Sequence, residues 1–336
     1  MVVRKEIKKL ADIAELAGVT AATVSRALSG HAQISPETRR RVLEIANTHG
    51  FRVNQAARNL RLGRTQSIGV IIPLGHESAQ RVSDPFYTAL IGRLMDGLAQ
   101  RDHAMLLSAV NPHDPAWLEN LTRSGRVDGV IVLCQSDQEA ALRQVGRSYK
   151  PLIVWGETAG VDGDYCCVGT DNGRGGRLAT EHLLQAGRRQ IAFAGMTDIP
   201  ELAARHAGYL EAHRAHGVAP GPHIPVPLSF DPRWSSLEHV LAANLGIDGV
   251  VAASDVIAMG VIRGIVQSGR RVPEDIPVVG YDDVTLAAHI MPALTTIRQD
   301  LGIAAEVMLD LLFRRIAGEE TGSVRLPLEL IQRQSA

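Results

Sequence analysis

The first fifty residues carry short apolar stripes at helical spacing. Leu10, Ile13, Ala14 and Ala17 recur at i, i+3, i+4 and i+7, the pattern of a helix with one buried face. Gly18 follows where a left-handed residue would end that helix. Thr20 then stands as the N-cap of a second helix, with Val19 and Val24 placed as a hydrophobic staple. On a helix starting at Ala21, Val24 and Leu28 turn inward, while Ala21, Ala22, Ser25, Arg26 and Ser29 face out. A third helix is capped by Ser35, has Pro36 as its first residue and closes at Gly50; Val42, Ile45 and Ala46 form its stripe. Helices this short are marginal alone in water, so they must pack on one another. Two helices about a tight glycine turn, braced by a third, describe a helix-turn-helix unit.

From Ser67 onward the pattern changes. "SIGVIIP" precedes a helix at about 84–101, and then "AMLLSAV", "DGVIVLC", "PLIVW", "YCCVG", "QIAFAG", "DGVVAAS" and "IPVVGYDD" follow, mostly with helices between. Apolar runs without clean alternation, separated by helices, predict parallel sheets buried on both faces. "VDGVIVL" from Val127 and "IDGVVAA" from Ile247 repeat one strand context 120 residues apart. One open sheet would hold so many strands poorly, so two similar α/β lobes are expected. Ligands of open α/β sheets bind beyond the carboxyl ends of the strands, which places a cleft between the lobes.

Charge divides the chain at the same place. The total is −1, yet residues 1–66 hold twelve Lys and Arg against five Asp and Glu, a net of +7, leaving −8 for the remainder. A basic head on an acidic body points to a polyanion partner for the head. Small residues at the start of the second helix let its backbone approach a groove, where Arg26 suits a bidentate contact with guanine and Ala21 or Ala22 a thymine methyl. Three cysteines, two of them the adjacent Cys166 and Cys167, make neither a disulfide framework nor a zinc spacing, which fits a reducing cytoplasm. No export signal and no membrane span are read from the sequence.

The enzyme classes find little support. No glycine-rich loop runs into Lys-Ser/Thr, and "EH" at 181–182 lacks a second histidine for a zincin. "TDNGRGGR" (170–177) reads as a helix start capped by Asp171, and Asp282 and Asp283, being adjacent, do not face one another. No cofactor and no metal are expected. A transport-type binding protein would fit the body alone, but not the basic head or the absent export signal.

"LADIAELAGVTAATVSRALSG", "ISPETRRRVLEIANTHGFRVNQAARNLR" and "SIGVIIP", in that order and spacing, resemble the lactose/galactose repressor family of bacterial transcription regulators over essentially the whole chain. The resemblance implies a three-helix DNA-binding head (1–53), a hinge helix and linker (54–66), and a two-lobed, periplasmic-binding-protein-like sensor body (67–336). Its N-lobe would take about 67–167 and 297–326, and its C-lobe about 168–296 and 327–336. DNA contacts would come from Thr20, Ala21, Ala22, Thr23, Ser25, Arg26 and Gln33 of the head. Asn54, Ala57, Leu60 and Arg61 would follow in the hinge, Leu60 as the wedge into a base step. The same resemblance assigns His76, Gln80, Phe86, Trp155, Arg205, Trp234, Asp255 and Gln299 to the effector cleft, with Asp255 accepting sugar hydroxyls and Trp234 packing on a ring. The loop "GHESAQRVSDPF" is longer than the family's usual connection and would shape one wall. The expected protein is a homodimeric repressor on a near-palindromic operator, controlled by a sugar or glycoside, with a nucleobase as the alternative effector. The tail "VRLPLELIQRQSA" has no leucine heptad, so no tetramer is expected through it.

Overall fold

The computed structural model of the chain describes residues 9–28, 33–51, 64–73, 82–110, 114–157, 163–228 and 246–336. Two compact units divide at Thr65, Met1–Thr65 and Gln66–Ala336.

In the first unit, α1 (Leu10–Ala17), α2 (Ala21–Leu28) and α3 (Pro36–Thr48) enclose a small core of Ile13, Ala17, Val24, Ala27, Val42 and Ala46. Gly18, at φ 62°, supplies the left-handed turn between the first two helices. The Thr23 amide donates to Thr20 Oγ1 at 3.2 Å, and the Thr38 amide to Ser35 Oγ at 3.2 Å, so each following helix starts on a hydroxyl cap. The inward face of α2 is centred one residue earlier than its pattern predicts: Ala27 is fully buried and Leu28 only half so. The small Ala27 lets α2 sit close against its neighbours, and the larger Leu28 covers the rim.

The second unit holds two six-stranded sheets. The N-lobe strands are β1 (Ser67–Pro73), β2 (Ala104–Val110), β3 (Gly129–Leu133), β4 (Leu152–Trp155), β5 (Cys166–Thr170) and β11 (Val324–Leu326). Their order is β11-β5-β4-β3-β1-β2, and every pair is parallel. The C-lobe strands are β6 (Ile191–Ala194), β7 (His223–Ile224), β8 (Gly249–Ala252), β9 (Val278–Asp282), β10 (Thr295–Gln299) and β12 (Leu328–Ile331). They run β12-β10-β9-β8-β6-β7, parallel except where β12 meets β10. The α-helices of this unit among the described residues are α4 (Pro85–Ala99), α5 (Trp117–Arg123), α6 (Glu139–Ser148), α7 (Asn172–Gln185), α8 (Pro200–Ala215), α9 (Asp255–Gln267) and α10 (Leu301–Ile316).

The repeated Asp-Gly context has a common structural job. Asp128, ahead of β3, accepts the Gln66 amide at 2.8 Å, which fixes the start of β1. Asp248, ahead of β8, accepts the Arg189 and Gln190 amides at 2.8 and 2.7 Å, which fixes the start of β6. The two strand pairs occupy the same place in their sheets. The sequence repeat is thus the trace of two like-built lobes.

Two crossings between lobes fall about three residues later than the expected 167/168 and 296/297. Strand β5 stays in the N-lobe sheet to Thr170, and β10 stays in the C-lobe sheet to Gln299. Each then meets an aspartate that caps the next helix: Asp171 accepts the Arg174 amide at 2.9 Å, and Asp300 the Gly302 amide at 2.9 Å. The chain leaves a lobe where a new helix begins, so the cap sets the crossing. A third crossing lies between β11 and β12, at Pro327.

Helices α7 and α8 pack backbone to backbone. A Cβ on Gly208 would lie 1.8 Å from the Gly173 carbonyl oxygen, and one on Gly176 2.0 Å from the Arg205 oxygen. This contact holds the first turns of both helices at the edge of the cleft.

Candidate functional site

The strand ends of both sheets meet around a cavity of about 50 Å³ lined from the two lobes. The N-lobe contributes an aromatic wall. Asp84 caps α4 through the Phe86 amide at 2.8 Å, and so presents Phe86 and Tyr87 from the first turn. Phe86 lies 6.0 Å from the Trp155 ring, centroid to centroid, at the end of β4. The Tyr87 hydroxyl donates to Cys134 Sγ at 3.2 Å, just beyond β3. Burial pushes the Cys134 thiol well above its ordinary range, which favours the neutral thiol.

The C-lobe contributes charge. Arg205, from α8, is 7% exposed, and its Nε donates to Asn172 Oδ1 at 2.9 Å and Nη1 to the Ala253 carbonyl at 2.5 Å. Its guanidinium lies 3.7 Å above the Tyr281 ring and 3.7 Å from Asp282 Oδ1. Asp282 ends β9 at φ 117°, and burial pushes its carboxyl up to about 7 against the opposing pull of Arg205. Glu201, also on α8, accepts the Gln135 amide of the N-lobe at 3.1 Å, and burial raises its pKa as well. The Asp84 carboxyl is raised for the same reason.

Gln299 stands behind this group as a bridge. Its Nε2 donates to Asp282 Oδ1 at 2.8 Å, while its Oε1 accepts the Thr170 hydroxyl at 2.6 Å. The ends of β5 and β10, where the chain changes lobes, are therefore tied to the cavity wall. A second tie runs from Arg325 of the N-lobe to Asp171 at 3.1 Å.

Of the residues assigned to the cleft, Phe86, Trp155 and Arg205 line the cavity, and Gln299 supports it. His76, Gln80 and Trp234 lie outside the described residues. Asp255 is 0% exposed and is not among the residues that line this cavity. Ser254, one position earlier, is the N-cap, accepting the Ile257 amide at 3.2 Å. As the first helical residue, Asp255 turns into the lobe, where it accepts the Val284 amide at 2.8 Å and the Thr296 hydroxyl at 2.5 Å. Gly280 leaves room for it, since a Cβ there would be 2.3 Å from Asp255 Oδ1.

The cavity also holds carboxyls that the sequence reading did not assign, namely Asp84, Glu201 and Asp282. The "YDD" pair carried a signal. Asp283 turns away to Arg298 and Arg333, at 2.7 and 2.6 Å, which leaves Asp282 alone at the cleft.

On the head, Thr20, Ala21, Ala22, Arg26 and Gln33 are exposed, and Thr23 and Ser25 are half-buried. Thr20 and Thr23 join through their hydroxyls at 2.9 Å. The start of α2 is thus a small-residue face with one long cation, the shape a groove admits. Asn54, Ala57, Leu60 and Arg61 lie outside the described residues.

Comparison with known proteins agrees with both units. Residues 9–54 match the bacterial regulatory proteins of the lacI family, and residues 180–336 match the periplasmic binding protein-like domain. The HTH-type transcriptional regulator CelR of Thermobifida fusca is 33% identical over 332 residues, which cover 97% of each chain. A solved complex of the transcriptional regulator CelR with cellobiose has a TM-score of 0.71 and 31% identity, covering 98% of this chain and 100% of that one. The lac repressor dimer bound to operator and the anti-inducer ONPF shares the fold, with a TM-score of 0.83 at 24% identity over 98% of this chain and 99% of that chain. The chain belongs to the lacI family of bacterial regulatory proteins, and is a DNA-binding transcriptional regulator under small-molecule control.

Proposed function

We propose that the cleft between the lobes binds a sugar or glycoside, and that its occupancy sets how tightly a homodimer holds a near-palindromic operator. One observation carries the reading: the rings of Phe86 and Trp155 face a cavity whose opposite wall holds Arg205 and buried carboxyls. A sugar offers apolar C–H faces to rings and hydroxyls to charged groups, and this wall pairing meets both. Among similar proteins, the CelR complex is named for cellobiose. The ligand is bound and released unchanged, in the cytoplasm, with no cofactor.

The cavity of about 50 Å³ is well below the roughly 300–1,000 Å³ usual for small-molecule pockets. An effector must therefore part the lobes, and the Gln135–Glu201 bond is among the contacts it meets. A ligand shifts DNA affinity only as far as it prefers one lobe arrangement, and the hinge at 54–66 would carry that preference to the operator. The homodimer reading draws support from β2, an edge strand whose outer side has no partner strand among the described residues. Leu107 on it is 44% exposed and Met95 on the neighbouring α4 is 54% exposed.

Arg26→Ala is expected to weaken operator binding by about 1–3 kcal/mol and relax preference at one base pair, read by competition with single-site operator variants. An equal loss on all sequences would make Arg26 a phosphate contact.

Titration with cellobiose, ribose, other sugars, glycosides and nucleobases, followed by tryptophan fluorescence, tests the cleft. Trp155 lies at the cavity, while Trp117 is held inside the N-lobe by Gln138 at 2.9 Å. A saturable change with one sugar class supports the reading. A response to nucleobases alone, or silence across the panel with unchanged thermal stability, contradicts it.

A further inference from the structure

Glu201 is the carboxyl of that wall whose own part the effector reading leaves unspecified. It is 5% exposed and lines the cavity from the first turn of α8. One oxygen, Oε1, accepts the Gln135 amide from the opposite lobe at 3.1 Å. The other, Oε2, is buried with no hydrogen-bond partner among the described residues. A buried carboxyl oxygen left without a donor is costly, and an incoming donor removes that cost.

The surrounding charge restricts what such a donor can belong to. Asp84 and Asp282 line the same cavity, and Arg205 is the one cation that lines it among the described residues. Two of the Arg205 donors are already committed, to Asn172 and the Ala253 carbonyl, and its face lies on Tyr281. Its positive charge is already opposed by the Asp282 carboxyl, 3.7 Å away. A phosphate or carboxylate placed here would add like charge to three carboxyls that burial already holds above their usual range.

We propose that Glu201 selects the effector class: Oε2 accepts a hydrogen bond from a hydroxyl of an uncharged sugar, and the site refuses sugars that carry a phosphate or carboxylate. The proposal rests on the cleft being the sugar site. Because Glu201 also holds the Gln135 amide, the ligand hydroxyl arrives where the lobes touch, and recognition and lobe contact share one side chain.

Matched pairs test it: cellobiose with cellobionate, ribose with ribose 5-phosphate, and glucose with glucose 6-phosphate, each titrated calorimetrically into the full-length protein. The wild type is expected to bind one neutral member and its anionic partner at least about tenfold more weakly. Glu201→Gln keeps an acceptor for the Gln135 amide but removes the charge and turns an amide donor inward. It is expected to weaken the neutral sugar about tenfold and narrow the gap to the anionic one. Glu201→Asp, which keeps the charge and withdraws the oxygen, should weaken the neutral sugar while still refusing the anion. A cooperative thermal unfolding transition serves as the check that the sensor body of each variant is folded. An anionic sugar bound by the wild type as tightly as its neutral partner overturns the selection by Glu201 and leaves the sugar cleft standing. So does an unchanged gap in Glu201→Gln. Failure of every pair, together with silence of the wild type across the wider sugar and glycoside panel, overturns the sugar cleft, and the selection falls with it.

Discussion

Arg205→Ala is expected to abolish the response to effector and to destabilise the sensor body by about 3–5 kcal/mol, the usual range for removing one partner of a buried charged pair. The size follows from what the guanidinium holds. It joins α7 through Asn172, the end of β8 through the Ala253 carbonyl, and β9 through Asp282 and the Tyr281 ring. Alanine leaves the Asn172 and Ala253 oxygens without this donor and Asp282 without its nearby cation, in a site where water does not substitute freely. Arg205→Lys keeps the charge but has no planar fork to serve Asn172 and Ala253 together, so a partial loss is expected. Thermal unfolding with effector titration reads both effects. Full effector affinity in the alanine variant would take Arg205 out of the site.

Gly208→Ala is the second large effect, expected to cost about 1–3 kcal/mol or more. The added carbon would lie 1.8 Å from the Gly173 carbonyl oxygen and 2.8 Å from the Arg177 nitrogen, and both are backbone atoms of a packed helix. No rotamer change relieves that overlap, so α7 and α8 must part. Their first two turns carry Asn172, Glu201 and Arg205, so effector affinity should fall together with thermal stability. Gly92→Ala, in α4, provides the contrast: its Cβ would meet nothing within 4 Å. That substitution is expected to leave stability unchanged or raise it by up to about 1 kcal/mol. A Gly208→Ala protein as stable as its parent would mean that the helix pair tolerates separation.

The parts of this fold that could be read from sequence are those whose causes are local. Gly18, Thr20, Ser35 and Pro36 act within a turn of where they stand, so the three helices of the head follow from spacing and caps. Strands such as "SIGVIIP" are legible because burial on both faces leaves an unbroken apolar run. Strand β10, "TTIRQ", escaped the same reading. Its threonines are buried by neighbours distant in sequence, with Thr296 held by Asp255 and Thr295 by the C-terminal segment. The crossing expected at 296/297 falls later for that reason, as β10 belongs wholly to the C-lobe sheet.

The site divides along the same line. Phe86, Trp155 and Arg205 came from resemblance to a family, and no spacing rule would have found them. Glu201 and Asp282 become neighbours of one cavity only once α8 and β9 converge on it. Asp255 shows how fine the margin is. Whether it or Ser254 caps α9 decides which way the carboxylate turns, and the serine takes the cap.

Coupling between the two units is the centre of this account, and linkage makes it measurable from both sides. The effector found by titration should change operator affinity by some factor, and operator DNA should change effector affinity by the same factor. We would measure operator binding by fluorescence anisotropy with and without saturating effector, and effector binding by calorimetry with and without operator, at one salt concentration. Equal factors well away from one are the predicted result. An effector that binds equally tightly to free and operator-bound protein would contradict ligand control of DNA binding through this cleft.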